Sequence, residues 1–116
     1  VLEIETLNGF YDFQNKYESE KTNYIFPPRI PKETILKSLE IAEKAHKVIG
    51  CRGITRVDMR CDLSSEIFVL EINTQPGLTS KSLVPRIASN VGITFDSLID
   101  WMVNEARCEN DDVELV

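Results

Sequence analysis

Two short segments hold the polar residues best placed to do chemistry, "RVDMRCD" (56–62) and "IFVLEIN" (67–73). Both read as strands, and strand side chains alternate between two faces. In the first, Val57, Met59 and Cys61 share one face while Arg56, Asp58, Arg60 and Asp62 share the other. In the second, Phe68, Leu70 and Ile72 form one face, and Ile67, Val69, Glu71 and Asn73 form the other. A turn centred on Ser64–Ser65 sets Asp58 opposite Glu71, Arg56 opposite Asn73 and Val57 opposite Ile72. The apolar faces then coincide, which is what fixes the register of a half-buried hairpin. Two carboxylates directly across an antiparallel pair repel unless a cation lies between them. Arg56 is one such cation, and it gives a salt-bridge cluster on a solvated sheet face. A divalent ion is the other. Two carboxylates and an amide oxygen are hard ligands suited to Mg²⁺, an ion that commonly shares its site with substrate phosphates. The pattern leaves both readings open.

Directly after Asn73 the chain turns through Thr74-Gln75-Pro76-Gly77 and enters a helix near Ser82. Backbone N–H groups at such a loop-to-helix start attract anions. An ordinary strand-to-helix turn fits equally well. No GxxxxGK[ST] phosphate loop occurs in the chain.

The elements that must position these residues follow from periodicity and turn signals. Residues 1–6 alternate as a strand. Residues 7–31 show no sustained period, with a turn at Asn8-Gly9 and a helix block at Pro27-Pro28. An irregular stretch of that length is a functional lid or a surface loop tucked on its own side chains. Phe10, Tyr11, Phe13, Tyr17 and Tyr24 favour a lid. Residues 32–49 read as a helix with Ile35, Leu39, Ala42 and Ile49 along its apolar face and Gly50 as its stop. The two site strands span 53–62 and 66–73. A helix over 80–91 is capped by Thr79 or Ser80, with Pro85 in its first turn and Gly92 at its end. Thr94 caps a last helix with Phe95, Leu98, Ile99, Met102 and Ala106 on one face, and Trp101 and Val103 are expected in or near the core. Residues 108–116 form an acidic tail expected to fray.

The bulk composition sets limits. At 116 residues the chain suffices for one small domain. Its 42% apolar and 28% charged content is that of a water-soluble globular protein. No apolar run approaches the roughly 20 residues of a membrane span. The net charge of −6 argues against nucleic acid as the main partner. Cys51, Cys61 and Cys108 are odd in number and lack CxxC spacing, so free thiols in a reducing compartment are expected, rather than a disulfide framework or structural metal. Cys51 and Cys61 are expected as small core residues, and His46 as a surface residue. The opening "VLEIETL", without Met or cap, reads as a piece of a longer polypeptide or as a processed or trimmed start.

The motifs "NKY", "CRGITRVDM" and "VLEINTQPGLTSKSLVP", with their spacing, resemble the C-terminal part of D-alanine–D-alanine ligases of the ATP-grasp superfamily. The resemblance runs from about residue 1 to residue 107, and its E-x-N-T-x-P-G-x-T…S-L-x-P run is its most specific part. It implies an α/β (α+β) subdomain, a largely antiparallel sheet packed with helices, incomplete relative to the parent enzyme. The implied activity is ATP-dependent joining of two D-alanines through an acyl phosphate, for peptidoglycan, in the bacterial cytoplasm. By the same resemblance Asp58, Glu71 and Asn73 hold two Mg²⁺ ions (Mn²⁺ is possible) on the ATP phosphates. Arg56 and the Gly77 N–H stabilise the oxyanion, and Ser82 and Leu83 receive the acceptor carboxylate. Lys16 reaches the phosphates, Tyr17 helps close the lid, and Phe10 packs near adenine. Arg60 departs from the family pattern, which usually has an apolar side chain on that nucleotide face. The implied partners are D-alanine, ATP and the N-terminal part of the same polypeptide, in a homodimeric parent, with neither nucleic acid nor membrane. A ligase for D-lactate or D-serine is the alternative within the superfamily. A non-catalytic acidic binding module is the alternative outside it.

Overall fold

The computed structural model describes residues 1–6 and 22–107. Its elements run β1 (Glu3–Thr6), β2 (Thr22–Ile25), α1 (Lys32–Ile49), β3 (Arg56–Cys61), β4 (Ile67–Asn73), α2 (Leu83–Asn90) and α3 (Phe95–Glu105). The strands form two separate antiparallel pairs, β1 with β2 and β3 with β4. This is the expected α+β architecture, and α1 packs on the β3–β4 pair.

The stretch 7–31, expected to be irregular, contains a strand. Its "TNYI" segment is β2, paired with β1 from Glu3↔Ile25 to Thr6↔Thr22. Four residues are too few for alternation to be visible, so the β-forming Thr, Tyr and Ile were the only signal. The residues joining the two strands, with Phe10, Lys16 and Tyr17, lie outside the described residues, as does the tail at 108–116.

Arg29 ties the β1–β2 pair to the chain that follows it. Its guanidinium meets Glu3 at 2.6 Å and Glu5 at 2.7 Å, its backbone N–H donates to Glu3, and the Asn23 amide donates to Glu5 at 3.1 Å. Glu3 and Glu5 are one strand repeat apart, so both carboxylates face the same side. Hydrogen bonds from Arg29 hold both carboxyls below the ordinary value of 4.5, with Asn23 adding to the effect at Glu5. A carboxyl with a lowered folded pKa stabilises the fold above its unfolded value, and that contribution is lost as pH falls through the folded pKa. The β1–β2 pair should therefore loosen only below pH 4.5. Amide exchange across Glu3–Thr6 should show that acid step, and Arg29→Met should remove it.

In α1 the buried stripe differs from the one periodicity suggested. Thr34 and Ser38 are buried, with the Ser38 hydroxyl donating to the Thr34 carbonyl at 2.8 Å. Ile35, Ile41, Ala42, Ala45 and His46 are half-buried beside them. Leu39 is instead 49% exposed, and Leu36, Val48 and Ile49 also face outward. The helix thus carries apolar residues on two faces, and the sheet covers only one. Gly50 closes the helix in the left-handed conformation, at φ 75°. His46, expected at the surface, is half-buried and shares a 2.9 Å hydrogen bond with the Thr55 hydroxyl just before β3.

The hydrophobic core among the described residues lies at the α2–α3 contact, in Leu83, Ala88 and Leu98. Thr94 caps α3 as the sequence indicated, its hydroxyl accepting from the Ser97 N–H at 3.2 Å. Phe95, Ile99 and Met102 are half-buried, whereas Ala106 ends the helix. Trp101 and Val103, expected near the core, are exposed. The two described cysteines, Cys51 and Cys61, are half-buried free thiols rather than core residues. Among the described residues no helix is long and apolar enough to cross a membrane.

Candidate functional site

The β3–β4 hairpin sets the geometry. Arg56↔Asn73, Val57↔Ile72 and Asp58↔Glu71 are direct partners, the register expected for the site. Nearer the turn the register is one residue different: Met59 pairs with Val69, Arg60 with Phe68 and Cys61 with Ile67. The cause is that the loop Leu63-Ser64-Ser65 is centred on Ser64, where the expected turn is centred between Ser64 and Ser65. Ser65 takes a left-handed φ of 64°, and the Asp62 carboxylate accepts from the N–H groups of Ser64 and Glu66. A β-bulge then leaves Leu70 without a partner and restores the register at Glu71. The two departures cancel at the site. They do not cancel near the turn, where Phe68 joins Arg60 on one face and Met59, Cys61, Ile67 and Val69 share the other. Arg60 is exposed beside Phe68, a pairing the sequence could not reveal without the bulge.

Asp58 and Glu71 therefore do face each other, and Arg56 lies between them. Being two residues from Asp58 on one strand, it shares its face. Its Nε and Nη2 donate to the two Asp58 oxygens at 2.7 and 2.9 Å, and Nη2 lies 3.6 Å from Glu71 Oε1. The bidentate fork is the strong form of such a pair. Arg56 is 14% exposed, Asp58 24% and Glu71 56%, so the cluster opens outward on the Glu71 side. Opposite Arg56, Asn73 Oδ1 accepts the Gln75 N–H at 3.0 Å and so begins the turn out of the strand.

Among the described residues no three His, Cys, Asp or Glu side chains converge as a metal cluster. The candidate donors are two carboxylates and one amide. Such a set fits Mg²⁺ when waters or phosphate oxygens supply the remaining ligands. Glu71, the outermost of the three, has among the described residues only the long contact to Arg56 and retains acceptor capacity.

Beyond the strand, Pro76 is buried and Gly77 lies against Ser82. A Cβ at position 77 would meet the Ser82 hydroxyl at 3.1 Å, so a side chain here would press on that hydroxyl and its bonds to Thr79, while the φ of Gly77 is unexceptional. Ser82 Oγ accepts the Thr79 N–H at 3.0 Å and hydrogen-bonds the Thr79 hydroxyl at 2.9 Å. The Ser82 N–H donates to the Thr79 carbonyl at 2.9 Å. Residues 79–82 therefore form a closed turn, and α2 starts with Ser82 rather than Thr79 or Ser80 at the capping position. Leu83 turns its side chain into the core, so its N–H is the group it can offer a ligand; first-turn N–H groups have no intrahelical acceptor.

The described residues form two antiparallel hairpins, with α1 packed on the second, and a carboxylate pair leading into a tight strand-to-helix turn. This α+β arrangement matches the C-terminal region of solved D-alanine–D-alanine ligases. The family model for the D-ala D-ala ligase C-terminus matches residues 1–104, and the chain belongs to that family. It is 44% identical to the D-alanine–D-alanine ligase of Paramagnetospirillum magneticum over 114 residues, covering 94% of the chain and 37% of that relative. The chain thus spans little more than a third of that relative's length. Among solved structures it resembles the D-alanine–D-alanine ligase of Bacillus anthracis, at TM-score 0.73 and 28% identity, covering 90% of the chain and 34% of that one. The same ligase complexed with ATP matches at TM-score 0.63 and 29% identity, over 67% of the chain and 27% of that one. VanG D-Ala:D-Ser ligase from Enterococcus faecalis matches at TM-score 0.72 and 36% identity, over 89% of the chain and 30% of that one.

Proposed function

We propose that this chain forms the C-terminal part of an ATP-dependent D-alanine–D-alanine ligase, a cytoplasmic enzyme that makes the dipeptide for peptidoglycan. The observation that carries the reading is the Asp58↔Glu71 register, which leaves Glu71 open outward beside the Arg56–Asp58 ion pair, one strand end away from the turn that packs Gly77 on Ser82. In this proposal Asp58, Glu71 and Asn73 hold two Mg²⁺ ions, which when bound neutralise the ATP phosphates. One D-alanine carboxylate takes the γ-phosphate from ATP and releases ADP. The neutral amine of the second attacks the resulting acyl phosphate, forming the peptide bond as inorganic phosphate leaves and the amine proton is lost. Arg56 and the Gly77 N–H face the oxyanion of the tetrahedral intermediate, the charge that preorganised donors stabilise most. The Ser82–Leu83 start of α2 receives the acceptor carboxylate, supported by the helix dipole. Lys16, Tyr17 and Phe10 are proposed to reach the nucleotide from the segment joining β1 and β2, completing a water-excluding site.

Acceptor choice has a second reading, because the chain is 36% identical to a structure described as a D-Ala:D-Ser ligase. Supplying D-serine and D-alanine together and separating the products distinguishes the two. The purified 116-residue chain alone is expected to show no ATP- and D-alanine-dependent phosphate release, because it spans only 37% of the length of a ligase relative and the proposed site would then be incomplete. Turnover above background from this segment would overturn that division of the site.

A further inference from the structure

Arg86, on α2, is the side chain that reaches back from the acceptor turn to the β1–β2 hairpin. Its guanidinium carbon lies 4.3 Å from the centroid of the Tyr24 ring on β2. Its Nη2 donates to the Lys81 carbonyl at 3.4 Å, a long bond into the Thr79–Ser82 turn. Its Nε is buried and has no hydrogen-bond acceptor among the described residues. A buried N–H without an oxygen partner is costly, and here the guanidinium has the electron-rich face of Tyr24 beside it. One planar cation thus touches both the strand that bounds residues 7–21 and the carbonyl just before Ser82.

We propose that Arg86 is a positioning residue: stacked on Tyr24, it docks the β1–β2 hairpin against the Thr79–Ser82 turn and so sets how the acceptor carboxylate is seated at Ser82 and Leu83. The docking stands on geometry alone, while its consequence for the acceptor rests on the function proposed above. The stack requires a flat cation and a flat ring. Lysine keeps the charge of Arg86 but not its plane, and phenylalanine keeps the ring of Tyr24 but not its hydroxyl.

The test uses the full polypeptide that carries this segment, with hydrogen exchange read over residues 79–84 and steady-state kinetics read for the acceptor. Tyr24→Leu and Arg86→Met should each speed exchange there by about tenfold and raise the acceptor KM by about tenfold, with kcat changing by no more than about twofold. Tyr24→Phe should behave as wild type in both readouts, and Arg86→Lys should fall between. If Tyr24→Leu does not fold, the contrast of Arg86→Lys and Tyr24→Phe with wild type carries the same test. Unchanged exchange in Arg86→Met and Tyr24→Leu would overturn the docking itself. Faster exchange with an unmoved acceptor KM would overturn the seating of the acceptor at Ser82, and with it the functional half of the inference. A fall in kcat alone would likewise count against it.

Discussion

Glu71→Gln, in the full polypeptide carrying this segment, is expected to lower dipeptide formation by about 10³-fold or more while leaving the melting temperature almost unchanged. The substitution keeps the shape of the side chain while removing its charge and replacing one acceptor oxygen with an amide donor. Little structural cost follows, because Glu71 is more than half exposed and meets Arg56 only at 3.6 Å. An exposed contact of that kind is worth about 0–1 kcal/mol. The catalytic cost is large because Glu71 is proposed to help hold the cations that would neutralise the transferring phosphates, and charge stabilisation is a main part of such catalysis. Dipeptide yield and thermal melting, measured on the same preparation, separate the two effects. Retained turnover at saturating Mg²⁺ would sink the metal role of Glu71.

Arg56→Met should act on both stability and turnover. The guanidinium fork on Asp58 is nearly enclosed, and without it two carboxylates face each other across the hairpin with no cation between. Removing one member of such a partly buried, charge-assisted pair costs about 1–3 kcal/mol. Turnover should fall by about 10²–10³-fold, the usual effect of deleting one oxyanion donor. Mg²⁺ provides the discriminating readout. If Asp58 and Glu71 accept a divalent ion, millimolar Mg²⁺ should raise the melting temperature of Arg56→Met more than that of wild type, without restoring turnover. Equal Mg²⁺ effects on the two proteins would leave Arg56 as the only cation the carboxylates accept.

The pairing of the polar residues in this hairpin was legible in the sequence because strand alternation and a nearby turn together fix which side chains meet. Asp58, Glu71, Arg56 and Asn73 pair as the sequence indicated. The route to that pairing was not legible. The left-handed Ser65 belongs to a loop centred on Ser64, the bulge at Leu70 compensates, and neither position is a glycine or proline that would announce itself. The faces of Phe68 and Val69 were therefore exchanged. Apolar periodicity likewise identified α1 and placed Ile35 and Ala42 on its covered side, but it wrongly put Leu39 and Ile49 there too. Leu36 and Leu39 are as hydrophobic as Ile35 and Ile41, and which pair meets the sheet depends on tertiary packing. The short strand β2 and its Arg29 clamp were hidden for a related reason: a four-residue strand earns its stability from long-range partners, and those are invisible to local pattern.

The most direct test of the proposed ligase is a product count in the full polypeptide supplied with ATP, Mg²⁺ and D-alanine, following ADP and D-alanyl-D-alanine together. Equimolar ADP and dipeptide, both dependent on D-alanine and both lost in Glu71→Gln, is the expected result. ADP released without dipeptide, or at a rate indifferent to D-alanine, would contradict it.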